Sequence, residues 1–277
     1  MGGETVVGTR LHWHSHSQRE RIDVEKLLRQ VSAFCTRAAL CTNSGILIAV
    51  GLPTGAVGAM SGTGVAAGSI AGKVEIIPMV YWGKFVPALN ALVSVAADRF
   101  PEADTLLLQS LEVEVDKVGV EFLRSHFDIK RDLVVGAALS GHEFQPDPSV
   151  QPLKLSGLTS PWNTLALWNL EQLTKIGFAL MGDALRLEVD GIGSAAGIEE
   201  VATIAMYQQL YANTTSATKA KLMRVPGIAW QLDGLQDPER LAWHEKKMTS
   251  KQQRAAAQLT HFGGVAPGSV YHLELEA

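Results

Sequence analysis

Residues 105–139 read TLLLQSLEVEVDKVGVEFLRSHFDIKRDLVVGAAL. Thr105–Gln109, with its three leucines, reads as a strand. The acidic segment Ser110–Val115 follows. Asp116–His126 then has helical spacing, with Val118, Phe122 and Leu123 expected on its buried side. Leu133–Ala138 is an apolar run. Strand, helix and strand in this order form a βαβ unit, and its repetition predicts an α/β fold with a largely parallel sheet.

The same alternation extends upstream. Thr5–His12 reads as a strand. Ile22–Phe34 reads as a helix whose apolar face is Ile22, Leu27, Leu28, Val31 and Phe34. Strands are expected at Ile46–Val50 and Val74–Met79, and a helix at Pro87–Phe100. Downstream, Pro146, Pro148, Pro152 and Pro161 punctuate a stretch without clear periodicity, read as a loop insertion rather than a linker. Helices are expected at Thr164–Lys175, Ile198–Leu210 and Pro238–Leu259, with a strand at Lys221–Val225 before the last. The expectation is one domain over residues 1–277: a nucleotide-binding style of half at 5–140, a second half at 141–260 and a tail at 261–277.

Composition narrows the function classes. The 277 residues are 47% hydrophobic and 19% charged, against about 25% charged in an average globular protein, which excludes intrinsic disorder. A net charge of −4 and a pI near 6.1 argue against a nucleic-acid partner held on a basic face. Lys246, Lys247, Lys251 and Arg254 read as one solvated helix face. Cys35 and Cys41 make neither a disulfide framework nor a four-thiolate zinc site, so free thiols in a cytoplasmic, reducing compartment are expected.

No Asp, Glu, Lys or Arg occurs between Arg37 and Lys73, a window that holds eight of the 26 glycines. Its most apolar part, Ile46–Met60, is shorter than the roughly 20 residues a bilayer requires and is interrupted by Gly51, Pro53, Gly55 and Gly58. No integral membrane segment is expected. Ile46–Val50 reads as a central strand and Leu52–Gly72 as a Gly-rich loop at the nucleotide side of the sheet. The first residues, MGGETVVGTR, lack the basic and apolar regions of a signal peptide. Val6 stands where a myristoylation motif has Ser or Thr.

Several constellations can carry chemistry. Glu112 and Glu114 follow a strand, and on extended backbone they share a face. Paired carboxylates at a strand's carboxyl end suit Mg²⁺ or Mn²⁺; the alternative is a solvent-facing edge. Glu199 and Glu200 open an apolar helix, either complementing its dipole or supplying a general base. His12, His14 and His16 alternate and suggest either a zinc site or core and hydrogen-bonding roles. Gly62, Gly64 and Gly68 approximate a dinucleotide fingerprint, but with the wrong spacing and placement. No nucleophile elbow or P-loop is present, and Ser140-Gly141-His142 is adjacency without triad geometry.

The order of these segments is more specific than any one of them. VEIIPM leads through Trp82-Gly83-Lys84-Phe85 into a helix bearing Ala88-Leu89-Asn90-Ala91-Leu92. TLLLQ delivers SLEVEV, and LVVGAAL follows. SPWNTLALWNLEQLTKIGF, GIEEVATI and AWHEKKMTSKQQR come next. This order resembles the inverting nucleotide-sugar glycosyltransferases of the GT-A fold, over roughly residues 5–250.

The resemblance implies an α/β, GT-A-like fold: a mixed, mostly parallel sheet with helices on both faces, whose second half binds the acceptor. It also implies a divalent cation, Mn²⁺ or Mg²⁺, held by Glu112, Glu114 and His244, with the two glutamates at the positions of a D-x-D motif. Glu200 takes the place of the general base, with Glu199 beside it. Trp82, Gly83, Lys84, Asn90, Trp162, Asn163 and Thr164 fall in substrate-binding segments, as do Leu170 and Gly177-Phe178. Partners implied are a nucleotide-sugar donor and a hydroxyl acceptor. Homo-oligomerisation through a patch near Phe85 and Val86 remains open.

The sequence departs from the family pattern in having S-L-E-V-E for D-x-D and no acid after the second strand to read a base. The alternatives are a catalytically weakened binding homologue on the same fold, an NAD(P)-dependent Rossmann oxidoreductase and a His-based metallohydrolase.

Overall fold

The computed structural model describes residues 3–12, 24–51, 73–80, 82–83, 85–182, 187–189, 193–195, 198–230, 249–261 and 267–274. The strands that build the main sheet are β1 (Glu4–His12), β2 (Ile46–Gly51), β3 (Val74–Pro78), β4 (Ala103–Gln109), β6 (Asp132–Ala137), β7 (Leu153–Lys154), β8 (Leu165–Asn169), β11 (Lys219–Met223) and β13 (Ser269–Leu273). Four short strands, β5 (Val113–Val115), β9 (Leu187–Val189), β10 (Gly193–Ala195) and β12 (Ile228–Trp230), form two ribbons outside it, β5 with β12 and β9 with β10. The helices are α1 (Val24–Ala38), α2 (Val86–Arg99), α3 (Lys117–Ser125), α4 (Leu170–Ile176), α5 (Glu199–Leu210) and α6 (Lys251–His261).

Along the sheet the order is β3-β2-β1-β4-β8-β6-β11-β13-β7. β1 pairs parallel with β2 and with β4, β2 with β3, and β11 with β6 and with β13. β8 runs antiparallel between β4 and β6, and β7 is antiparallel to β13. The sheet is therefore mixed and mostly parallel, as expected.

Neighbouring residues on each strand go to opposite layers. Ile46, Ile48 and Val50 pack with Leu27, Val31 and Phe34 of α1 and with Val120 and Leu123 of α3. Leu47 and Ala49 pack with Leu89 and Leu92 of α2 and with Val201 and Ile204 of α5. β4 repeats the division, with Leu107 on the first side and Leu106 and Leu108 on the second. Helices cover both faces, which is why these strands read as unbroken apolar runs.

Two expectations are corrected. Thr164–Lys175 is not one helix: Leu165–Asn169 is a strand and only Leu170–Ile176 is helical. All five residues of LALWN are buried between two strands, and such a run lacks the periodicity that distinguishes strand from helix. Asn169 makes the transition, its side chain accepting from the Gln172 N–H at 3.1 Å as an N-cap.

Val118 is the second. It is 65% exposed, and α3 instead buries Gly119, Val120 and Leu123. A Cβ on Gly119 would lie 2.6 Å from the Pro226 carbonyl, so the helix presents its glycine to that loop. The loop Leu52–Gly72, His14, His16 and the glycines 62, 64 and 68 lie outside the described residues, as does the Pro238–Met248 part of the expected last helix.

Candidate active site

The parallel strands β1, β4, β6 and β11 end on one edge of the sheet. Because β8 is reversed, its beginning lies on that edge too, with Leu165 opposite Gln109 and Ala166 opposite Gly136. The chain leaves β1 toward β2 and β3, then crosses back to β4 on the other side of β1. This reversal is the kind of switch point outside which open α/β sheets bind ligands.

Glu200 lies in the first turn of α5 and is 6% exposed. Its Oε1 accepts the Asn163 N–H at 2.7 Å, tying the helix start to the approach to β8. Asn163 in turn accepts the Trp168 indole N–H through Oδ1 at 3.0 Å. The Asn163 Nδ2 is buried with no hydrogen-bond partner among the described residues.

Burial pushes the Glu200 carboxyl up to about 7; the Glu199 carboxylate adds to this, while Lys251 and the Asn163 N–H oppose it. A carboxyl poised there can accept a proton near neutral pH. Glu199 pairs with Arg10 of β1 at 3.5 Å, and that guanidinium lies 5.3 Å from the Phe85 ring centroid. From α6, Arg254 is attracted by both glutamates, although burial lowers its pKa overall.

Lys251 departs from its expected solvated position. It is buried, with Nζ 3.2 Å from the Trp162 ring centroid, a cation–π contact. A Cβ on Gly157 would strike the Lys251 carbonyl at 2.4 Å, so the start of α6 packs directly on that loop. Trp162 is buried, donates its indole N–H to the Gly157 carbonyl at 2.9 Å and stacks on His142 with centroids 3.6 Å apart.

His142 Nδ1 accepts the Leu139 N–H at 2.9 Å, and Nε2 lies 3.1 Å from the Ser160 carbonyl. These partners fit a neutral ring protonated at Nε2. Burial accordingly pushes its pKa down to about 3.

The remaining expected residues are dispersed. Glu112 is exposed in the turn before β5. Glu114 is on β5 and ion-pairs with Arg37 at 3.1 Å. His244 and Lys84 lie outside the described residues, and among those described no group of three or more His, Cys, Asp or Glu side chains is arranged to hold a metal ion. Of the three expected cation ligands, the structure thus describes Glu112 and Glu114, the second held by Arg37.

Trp82 stacks on His12 with centroids 4.6 Å apart, and a Cβ on Gly51 would lie 2.3 Å from its ring. Gly83 is exposed with φ 65°. Asn90 clamps the end of α4, its Nδ2 donating to the Phe178 carbonyl at 3.0 Å and its Oδ1 accepting the Phe178 N–H at 2.7 Å. Thr164 is half-buried, and its carbonyl accepts the Ser110 N–H at 2.9 Å. The arrangement thus joins Glu199, Glu200, Trp162 and Asn163 from the expected set. It adds Arg10, His142, Lys251 and Arg254, for which no spacing in the sequence gave a signal.

No family model and no curated protein matches this sequence. Among solved structures, the chain is similar to the galactosyltransferase LgtC in complex with donor and acceptor sugar analogues, with 11% identity and a TM-score of 0.36 over 62% of this chain and 59% of that one. It is also similar to residues 1–349 of S. aureus TarS, with 11% identity and a TM-score of 0.39 over 64% of this chain and 50% of that one. The TarS complex with UDP-GlcNAc gives 11% identity and a TM-score of 0.38 over 73% and 52%. The chain spans between half and three-fifths of the length of these proteins. The likeness is one of fold.

Proposed function

We propose that this chain transfers a sugar from a nucleotide-sugar donor to a hydroxyl acceptor, with Glu200 as general base. The observation that carries this is the buried Glu200 carboxyl, held by the Asn163 N–H at the sheet edge where parallel strands end and poised to take a proton near neutral pH. The order of sequence segments that resembles GT-A glycosyltransferases supports the same reading.

In the reaction, the acceptor hydroxyl gives its proton to Glu200 as its oxygen bonds to the donor's anomeric carbon. The bond from that carbon to the diphosphate oxygen breaks, and the nucleoside diphosphate leaves with the electron pair. Arg10, Lys251 and Arg254 are the cationic side chains grouped with Glu199 and Glu200. Their charge offsets that of the two carboxylates, and Lys251 favours the ionised Glu200 that accepts the proton. No step is assigned to a divalent cation, since His244 lies outside the described residues and Glu114 is held by Arg37.

Thermal unfolding across a panel of nucleotide sugars, with and without Mn²⁺, tests the donor class. The reading expects a nucleotide sugar to raise the melting temperature by mass action and to release nucleoside diphosphate on incubation. Stabilisation by NAD(P) alone would contradict it. A second reading, a binding homologue without turnover, is favoured by one observation: Glu114 is occupied by Arg37 and Glu112 faces solvent. That reading expects stabilisation without diphosphate release.

A further inference from the structure

A cleft of about 530 Å³ opens beyond the ends of β6 and β11. Its lining includes Ser140, Gly141, His142, Phe144, Arg224 and Trp230. The strand ends are fastened together there, the Ala138 N–H donating to the Met223 carbonyl at 2.7 Å. Gly141, at φ 93°, turns the chain so that His142 folds back onto Leu139 and forms one wall. The other face of this wall is the Trp162 ring, beside the residue that holds Glu200.

The charge in this cleft is Arg224. Its guanidinium carbon lies 5.4 Å from the Phe144 ring centroid. Phe144 is itself fixed by stacking on the buried His272, with centroids 5.3 Å apart and planes 12° from parallel. His272 accepts the Gln145 N–H at Nδ1 at 3.0 Å, and its Nε2 lies 2.9 Å from the Thr159 carbonyl, so this support is locked by its own hydrogen bonds. An arginine laid on a fixed aromatic ring loses less freedom on binding than one free in solvent. Glu274 engages its Nε at 3.4 Å, with both side chains more than half exposed. Such a surface pair is weak and readily exchanged for a ligand anion.

The other walls are an indole, a phenyl ring, a neutral imidazole and the Ser140 hydroxyl. Histidine brings no positive charge, because burial keeps its ring neutral. Guanidinium, ring faces and hydroxyl together suit a sugar ring bearing one anionic substituent. We propose that this cleft, separate from Glu200, binds a sugar carrying a carboxylate or phosphate, with Arg224 holding the anion. This goes beyond the proposed transferase reading and rests on the cleft alone.

Titration of the full chain with glucuronate, glucose 6-phosphate and glucose, followed by calorimetry, tests it. At least one anionic sugar should bind about tenfold or more tightly than glucose, the scale of a charge-assisted hydrogen bond. The stronger of the two identifies carboxylate or phosphate as the preferred anion. Arg224→Gln, at an exposed position, should remove the preference without changing the melting temperature, and Glu274→Gln should strengthen it. Equal binding of all three sugars, no binding of either anionic one, or a preference that survives Arg224→Gln would overturn the proposal. Arg224-dependent binding without nucleotide-sugar turnover would leave the cleft's selectivity standing and remove the transferase reading.

Discussion

Glu200 keeps its carboxyl out of water at the cost of making ionisation harder, and this has two consequences of opposite sign. As a base it must be ionised, so turnover should rise with pH through about 7. For stability the folded carboxyl binds its proton more tightly than the unfolded one. Its contribution is therefore most favourable at low pH and is lost as pH rises through the folded value. Glu200→Gln removes that penalty, so its melting temperature should exceed that of the wild-type protein above pH 7 and converge with it, or fall below it, near pH 5. Calorimetric scans at the two pH values check this.

Lys251 acts on the same group. Its ammonium favours the Glu200 carboxylate against burial and the neighbouring Glu199, while Arg254 faces both glutamates from the same helix. Lys251→Met should move the acid limb of the pH–rate profile to higher pH, whereas a purely structural role would change the rate without moving the limb. Neither Lys251 nor His142 was legible in the sequence. A lysine one turn from other basic residues reads as solvent-facing, and only the packing of α6 on Gly157 brings it to Trp162.

The elements show where local sequence signals suffice. Asp116 accepts the Gly119 N–H at 2.8 Å, and Asn169 the Gln172 N–H at 3.1 Å; both are N-cap residues of the preferred kind. Asp116→Ala should cost about 1 kcal/mol in a denaturant titration. Strands β1, β2, β4 and β6 and helices α2 and α5 were legible because their apolar runs or faces match the structure they form. β8 was not, since burial on both sides erases its period. The acidic pair at 112 and 114 was read as one face, but the strand begins only at Val113, and the ion pair with Arg37 on α1 takes Glu114. That partner lies far away in sequence, and no local pattern announces it.

At the scale of the molecule, one sheet with a helical layer on each face fixes where ligands can be approached. Seven of the nine main strands share one direction, so their carboxyl ends, the reversed start of β8, Glu200 and the Arg224 cleft all fall on one side. Both layers depend on the central strands. Leu107→Ala, at a fully buried position of β4, should cost about 2–5 kcal/mol by emptying a core site between helices and sheet. Chemical denaturation with an unchanged m-value would confirm a loss of packing rather than of fold.

The central claim is that Glu200 takes the acceptor's proton during sugar transfer. Initial rates of nucleoside diphosphate release from a nucleotide sugar that binds, compared between wild type and Glu200→Gln with donor affinity measured alongside, test it most directly. A fall in kcat of about 10²–10⁴-fold with donor affinity retained is the predicted result. A Glu200→Gln variant that turns over at the wild-type rate would contradict it.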